Sequence, residues 1–228
     1  MSSRFLLQSL ADRIDKMASN NPTQPRALVE QAAESIRRDA FIKVITMIPD
    51  RFRGADITDA GVPADDIQKA LTDVFQKAPD GKIGVIFSGE SGCGKTYAAA
   101  AAVKWIASMD PERVVLWGEY PKVIQKLRQE FSDGSYSELG SQWDVLCNES
   151  DLARGMIVLD DMGSSKPSDF ELEKLFIVID HRSNEFMPVL ITTNVPPERF
   201  EDVFGQRVSS RLLGYFHILK FVGIDNRK

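Results

Sequence analysis

The sequence predicts an α/β domain built on a largely parallel central sheet. Three observations point there. From residue 83 onward, short apolar runs with strand character alternate with helical patterns. The first of these runs leads through a glycine-rich turn into an alanine-rich helix. Two later runs end in acids or an amide, as parallel strands do where their C-terminal ends gather around a ligand.

In chain order, Leu6, Leu7, Leu10, Ile14 and Met17 recur at three- and four-residue steps and stop at Asn20-Asn21-Pro22. A second helical pattern runs from Leu28 through Ala32, Ile36, Ala40 and Val44 to Ile48, where Pro49 ends it. Together they form either a small helical hairpin or a partner-binding helical module, which places a boundary between residues 1–48 and 49–228. Residues 49–62 read as a linker or an extended strap. A helix follows from Pro63 to about Lys77, with Pro in its first turn and Asp65 and Asp66 near its positive end. The five strand-like runs are 83–88, 114–117, 156–159, 189–193 and 215–222. Helices are expected near 95–108, 119–131, 142–149, 168–185 and 197–213.

Composition narrows the function classes. The 228 residues are 43% hydrophobic and 27% charged, which suits a globular chain with a substantial core. No apolar run of 18 or more residues is present to span a bilayer, and the acid-containing N-terminus does not read as a signal peptide. Two cysteines and two widely separated histidines cannot assemble a zinc cluster, and this cysteine usage fits the cytoplasm. A net charge of −5 argues against a surface that coats nucleic acid as a whole. A local basic groove remains compatible, since residues 204–228 carry five basic residues and one acid.

The chemistry concentrates in four places. Gly89, Glu90, Ser91, Gly92, Cys93, Gly94, Lys95 and Thr96 match G-x-x-x-x-G-K-[ST], after an apolar strand and before a helix. In that context backbone N–H groups converge on phosphate oxygens, Lys95 reaches the β- and γ-phosphates of ATP, and Thr96 offers a hydroxyl to Mg2+. The run 156–159 ends in Asp160 and Asp161. Buried acids at a strand tip are costly unless they meet a cation or polarise water, so Asp160 is expected on the metal side and Asp161 at the attacking water. Such a pair can also simply cap the next turn. The run 189–193 ends in Asn194, placed to bond the γ-phosphate and the water, though Asn before Val-Pro-Pro is also an ordinary turn residue. Lastly, Arg207 and Arg211 lie four apart on one helical face, as a trans-acting arginine pair or as a structural ion-pair site. The Cys93 thiol, beside Lys95 at a helix N-terminus, is expected to be reactive. Lys122, Lys126 and Arg128, with Trp117 and Tyr120 for stacking, are candidate DNA contacts.

The ordered series Ile48-Pro49-Asp50-Arg51-Phe52, the phosphate loop, Asp160-Asp161-Met162-Gly163, Ile179-Asp180-His181-Arg182, Thr192-Thr193-Asn194 and Gln206-Arg207-Val208-Ser209-Ser210-Arg211-Leu212 resembles the DnaC/DnaI-type helicase loaders and the related IstB-like transposition ATPases. These are members of the AAA+ superfamily, and the resemblance covers roughly Ile48 to the end. It implies an AAA+ core with a five-stranded parallel sheet and no C-terminal helical lid. It further implies an ATP-bridged oligomer, single-stranded DNA binding and delivery of a replicative hexameric helicase, contacted through the N-terminal helices. Asn194 is similar to the sensor-1 residue, Arg211 to the arginine finger with Arg207 as a second candidate, and Arg227 to a sensor-2 arginine near the nucleotide. The alternative within the same resemblance is a transposition regulator assembling on double-stranded DNA. A small-molecule kinase would need an arginine-rich lid, which the pattern does not supply.

Overall fold

A computed structural model of the chain describes residues 48–76, 81–110, 113–137, 141–147 and 155–222. The two helices expected before Ile48, and Arg227, lie outside the described residues. Five strands form one sheet: β1 (Gly84–Gly89), β2 (Val115–Glu119), β3 (Met156–Met162), β4 (Val189–Thr193) and β5 (Phe216–Phe221). Their order is β2-β3-β4-β1-β5 and every pairing is parallel. Six helices accompany them: α1 (Ala64–Phe75), α2 (Lys95–Met109), α3 (Tyr120–Asp133), α4 (Gln142–Cys147), α5 (Asp169–Asn184) and α6 (Phe200–Tyr215).

Both faces of the sheet are covered, which is why its strands read as continuous apolar runs. Val85 and Phe87 face one core with Val158 and Leu190, beneath α1, α2 and residues 48–62. Ile86, Ile157, Leu159 and Ile191 face the other, beneath α3, α5 and α6. Successive side chains of a strand point to opposite faces, so β1 divides between the two. Ala98 to Ala102 are all buried in α2. Their small side chains let that helix lie close to the sheet that aims its N-terminus.

Two departures from the sequence expectation bear on function. β2 continues past Trp117 to Glu119, which stands in register with Asp160. The last helix is divided at Gly205, whose φ of 72° and ψ of 162° no ordinary L-residue adopts readily, so the segment carrying Arg207 and Arg211 sets off in a new direction.

Arg182 is completely buried on α5, and its guanidinium donates to the carbonyls of Leu146, Gly155 and Pro188. One side chain thus ties α4 to the entrances of β3 and β4. Arg182→Met is expected to strip three carbonyls of their donor and to destabilise the fold by roughly 3 kcal/mol. Thermal unfolding followed by circular dichroism checks this; an unchanged melting temperature would remove Arg182 from that role.

Candidate nucleotide site

The turn after β1 forms from glycines, and Gly94 at the cap of α2 sits at φ 93°. Lys95 is buried, and its ammonium donates to the carbonyls of Gly89 at 2.7 Å and Glu90 at 2.6 Å. It is thus pinned under the loop at the N-terminus of a 15-residue helix, where backbone N–H groups favour an anion. Phosphate oxygens placed there would compete with the two carbonyls for the same donors. The Cys93 side chain is 5% exposed, packs in the core under α2 and lies 3.6 Å from Lys95 Nζ. The expected thiol reactivity is therefore not supported: the position calls for a small core residue, and reagents have little access to it.

The tips of β3 and β4 complete the site. Pairing runs Leu159 to Ile191 and then Met162 to Thr193, so Asp160 and Asp161 together stand opposite Thr192. This is a β-bulge, a device that re-aims a side chain beside a functional cleft. Asp160 is 5% exposed and accepts on one oxygen, Oδ1, from Thr96 at 2.9 Å and Thr192 at 2.6 Å. Burial pushes its pKa up, against the pull of those two hydroxyls. Asp161 is exposed and takes a left-handed conformation with φ 63°. Its N–H donates to Thr192 Oγ1 at 2.9 Å.

A cleft of about 630 Å³ joins these groups, lined among others by Ser91 to Tyr97, Glu119, Asp160, Asp161, Thr192 and Asn194. That size suits a small organic ligand. The structure therefore brings together the loop, both acids and Asn194, as the sequence led one to expect. It also brings in residues the sequence reading passed over. Arg51, Phe52, Asp59, Ala60 and Gly61 also line the cleft, so the segment 49–62 is a strap that contributes to the site rather than a spacer. Tyr97 Oη accepts from Asp56 N at 3.1 Å, and Lys104 Nζ donates to the carbonyls of Arg53 and Ala55, which clamp the strap to α2. Aromatic and basic residues before a helix carrying a phosphate loop were the available signal.

The donor set suits Mg2+. The Thr96 hydroxyl and the Asp160 carboxylate are hard oxygen ligands side by side, and a buried carboxylate with a raised pKa gains from a nearby cation. Among the described residues no group of three or more His, Cys, Asp or Glu side chains could hold a metal alone.

The other candidates lie elsewhere. Arg207 and Arg211 do not line the cleft; both guanidinium carbons sit over the Phe176 ring, at 3.9 and 4.1 Å. Arg211 donates through Nε and Nη2 to Asp180 Oδ1 at 2.8 and 2.6 Å. Of the two aromatic candidates for DNA contact, Tyr120 is withdrawn into the core while Trp117 is partly buried. Tyr120 is 6% exposed in the core under α3, and the Trp117 indole N–H is buried. Of the basic candidates, Lys122, Lys126 and Arg128 are all exposed, with Lys122 paired to Glu119 and Arg128 to Glu171.

The family of IstB-like ATP binding proteins matches residues 65–225, well over half of the chain. The chain belongs to that family, and its fold is that of a P-loop AAA+ ATP-binding domain. Among solved structures it is similar to the DnaC helicase loader, with 25% identity and a TM-score of 0.60 over 76% of this chain and 100% of that one. It is also similar to DnaI, with 17% identity and a TM-score of 0.59 over 81% and 100% of the two chains. Domain III of the Thermotoga maritima replication initiation protein DnaA aligns at 17% identity and a TM-score of 0.56, over 72% of this chain and 66% of that one. A comparison with curated proteins finds no match.

Lys95→Ala removes the charged donor beneath the loop, and ATP affinity is expected to fall roughly 10- to 100-fold. Calorimetric titration measures it. Wild-type affinity in the variant would rule out this cleft as the triphosphate site.

Proposed function

We propose that this chain is an ATP-dependent helicase loader or adaptor that binds single-stranded DNA and acts on a replicative hexameric helicase, with a slow, switch-like ATP hydrolysis. One observation carries the reading. The groups needed to hold Mg-ATP converge in one cleft of one chain, whereas the arginine pair expected to complete it stands outside that cleft. The similarity to the DnaC loader, extending over that whole chain, supports the choice of partner.

In this reading Lys95 and the loop N–H groups hold the β- and γ-phosphates. Asp161, turned out by the bulge into the cleft, takes the proton of the attacking water, and Asn194 orients that water against the γ-phosphate. Thr96 and Asp160 would hold Mg2+, which would supply charge neutralisation on the phosphate oxygens. Arg51 is the one arginine among the described lining residues, and it sits with Phe52 on the strap. The charge developing on the transferred group therefore calls for Arg211 of a neighbouring copy, with Arg207 beside it. The Asp180 carboxylate and the Phe176 ring, both on α5, hold Arg211 in place against that helix until such a neighbour docks. Residues 1–48 are assigned the helicase contact and Arg227 a place near the nucleotide. No helix among the described residues is long and apolar enough to cross a membrane, and a cytoplasmic setting is proposed.

A second reading follows from the family match: a transposition regulator that assembles on duplex DNA. Binding to single-stranded and duplex oligonucleotides, in the presence of a non-hydrolysable ATP analogue, separates the two. Preference for the single strand supports the loader, and preference for duplex supports the regulator.

Asp161→Asn is expected to bind ATP normally and to lose turnover, because it acts on water and not on the ground-state phosphates. Wild-type turnover would remove Asp161 from the chemistry. Arg211→Ala is likewise expected to bind and not to turn over. Mixing it with Lys95→Ala should restore part of the activity, since a mixed interface joins an intact cleft to an intact arginine. If Arg211 serves only its pair with Asp180, its loss lowers thermal stability and mixing rescues nothing.

A further inference from the structure

Thr192 opens the Thr192-Thr193-Asn194 ending of β4, at the edge of the cleft. We infer that it is a positioning residue for hydrolysis, its one hydroxyl holding both Asp160 and Asp161 in their working directions. The inference rests on the hydrolysis proposed above and names the device behind it.

The donor and acceptor logic leaves one arrangement. The Asp161 amide can only donate, so Thr192 Oγ1 accepts it, at 2.9 Å. The single hydroxyl proton is then committed to Asp160 Oδ1, at 2.6 Å. Thr192 is 1% exposed, so water does not compete for either bond. Its branched side chain, packed inside the sheet, is stiff about χ1 and cannot swing to other partners.

Both bonds bear on the bulge. In a regular strand Asp160 and Asp161 would face opposite sides of the sheet. Here they stand together across from Thr192, and Asp161 takes the left-handed conformation that a non-glycine residue holds only when its surroundings require it. The bond from its amide to Thr192 is what the structure offers to hold it. Without that hydroxyl the amide loses its acceptor and the backbone is free to relax toward regular pairing, which turns the Asp161 carboxylate away from the cleft. Asp160 keeps its bond to Thr96 alone, and its carboxylate gains rotational freedom.

Thr192→Val keeps shape and volume and deletes the hydroxyl; Thr192→Ser keeps the hydroxyl. Three readouts are needed: hydrogen exchange of the Asp161 amide in the nucleotide-free protein, ATP affinity by calorimetry, and steady-state turnover. For Thr192→Val, Asp161 exchange should accelerate and kcat should fall roughly 10- to 100-fold, the usual loss when a supporting hydrogen bond to a ligating group is removed. ATP affinity measured without Mg2+ should stay at the wild-type level, because the loop and Lys95 that hold the phosphates are untouched. Thr192→Ser should match the wild type in all three. Unchanged Asp161 protection in Thr192→Val would overturn the inference, as would a Thr192→Ser variant as impaired as Thr192→Val, since the methyl group and not the hydroxyl would then matter. The exchange readout does not depend on hydrolysis. Wild-type turnover in Asp161→Asn would thus defeat the hydrolysis reading while the hold of Thr192 on the bulge is judged separately.

Discussion

A buried carboxylate needs a reason to stay charged, and the one at Asp160 organises this molecule. Its oxygen receives hydroxyls from two directions, Thr96 on α2 and Thr192 on β4. Those bonds tie the helix that begins at the phosphate loop to the strand that separates β1 from β3 in the sheet. Sheet order makes this contact available: β4 lies between β1 and β3, so the tips of all three open on the same cleft. A carboxylate in that position, raised in pKa by burial, is stabilised further by a cation. The same interaction that closes the fold at this end therefore prepares it for a metal nucleotide.

Around that point the molecule divides its tasks between two faces. On one side the strap of residues 49–62, held through Tyr97 and Lys104, contributes to the lining of the cleft. On the other, Gly205 redirects the end of α6 so that Arg207 and Arg211 stack on a single ring, outside the cleft of their own chain. The candidate nucleotide groups thus lie inside one cleft and the paired arginines outside it, the separation that the proposed trans-acting arginine requires.

Much of this was legible in the sequence, for identifiable reasons. Strands buried on both faces are continuous apolar runs, and all five begin within one residue of their expected starts, with β3 running three residues beyond its expected end. The phosphate loop carries its own spacing and context, and the acid tip of β3 reads directly as Asp160-Asp161. What remained hidden depends on register and burial. No local pattern shows that β3 holds an extra residue opposite Thr192, although a threonine inside a buried strand beside an acidic one does demand a partner. Trp117 and Tyr120 looked available because they adjoin a basic helix. Which face of that helix meets the sheet decides the matter, and the core takes Tyr120 and the indole N–H of Trp117. Arg51 and Phe52 were read as family markers, and only the folded chain puts them at the cleft.

We propose that Asp160, held by two threonine hydroxyls, takes a divalent cation together with nucleotide. Electron paramagnetic resonance of Mn2+, titrated into the full chain with and without a non-hydrolysable ATP analogue, measures this directly. The account predicts one bound Mn2+ per chain when the analogue is present and only weak binding without it. Equal Mn2+ binding in both titrations, or none in either, would contradict it.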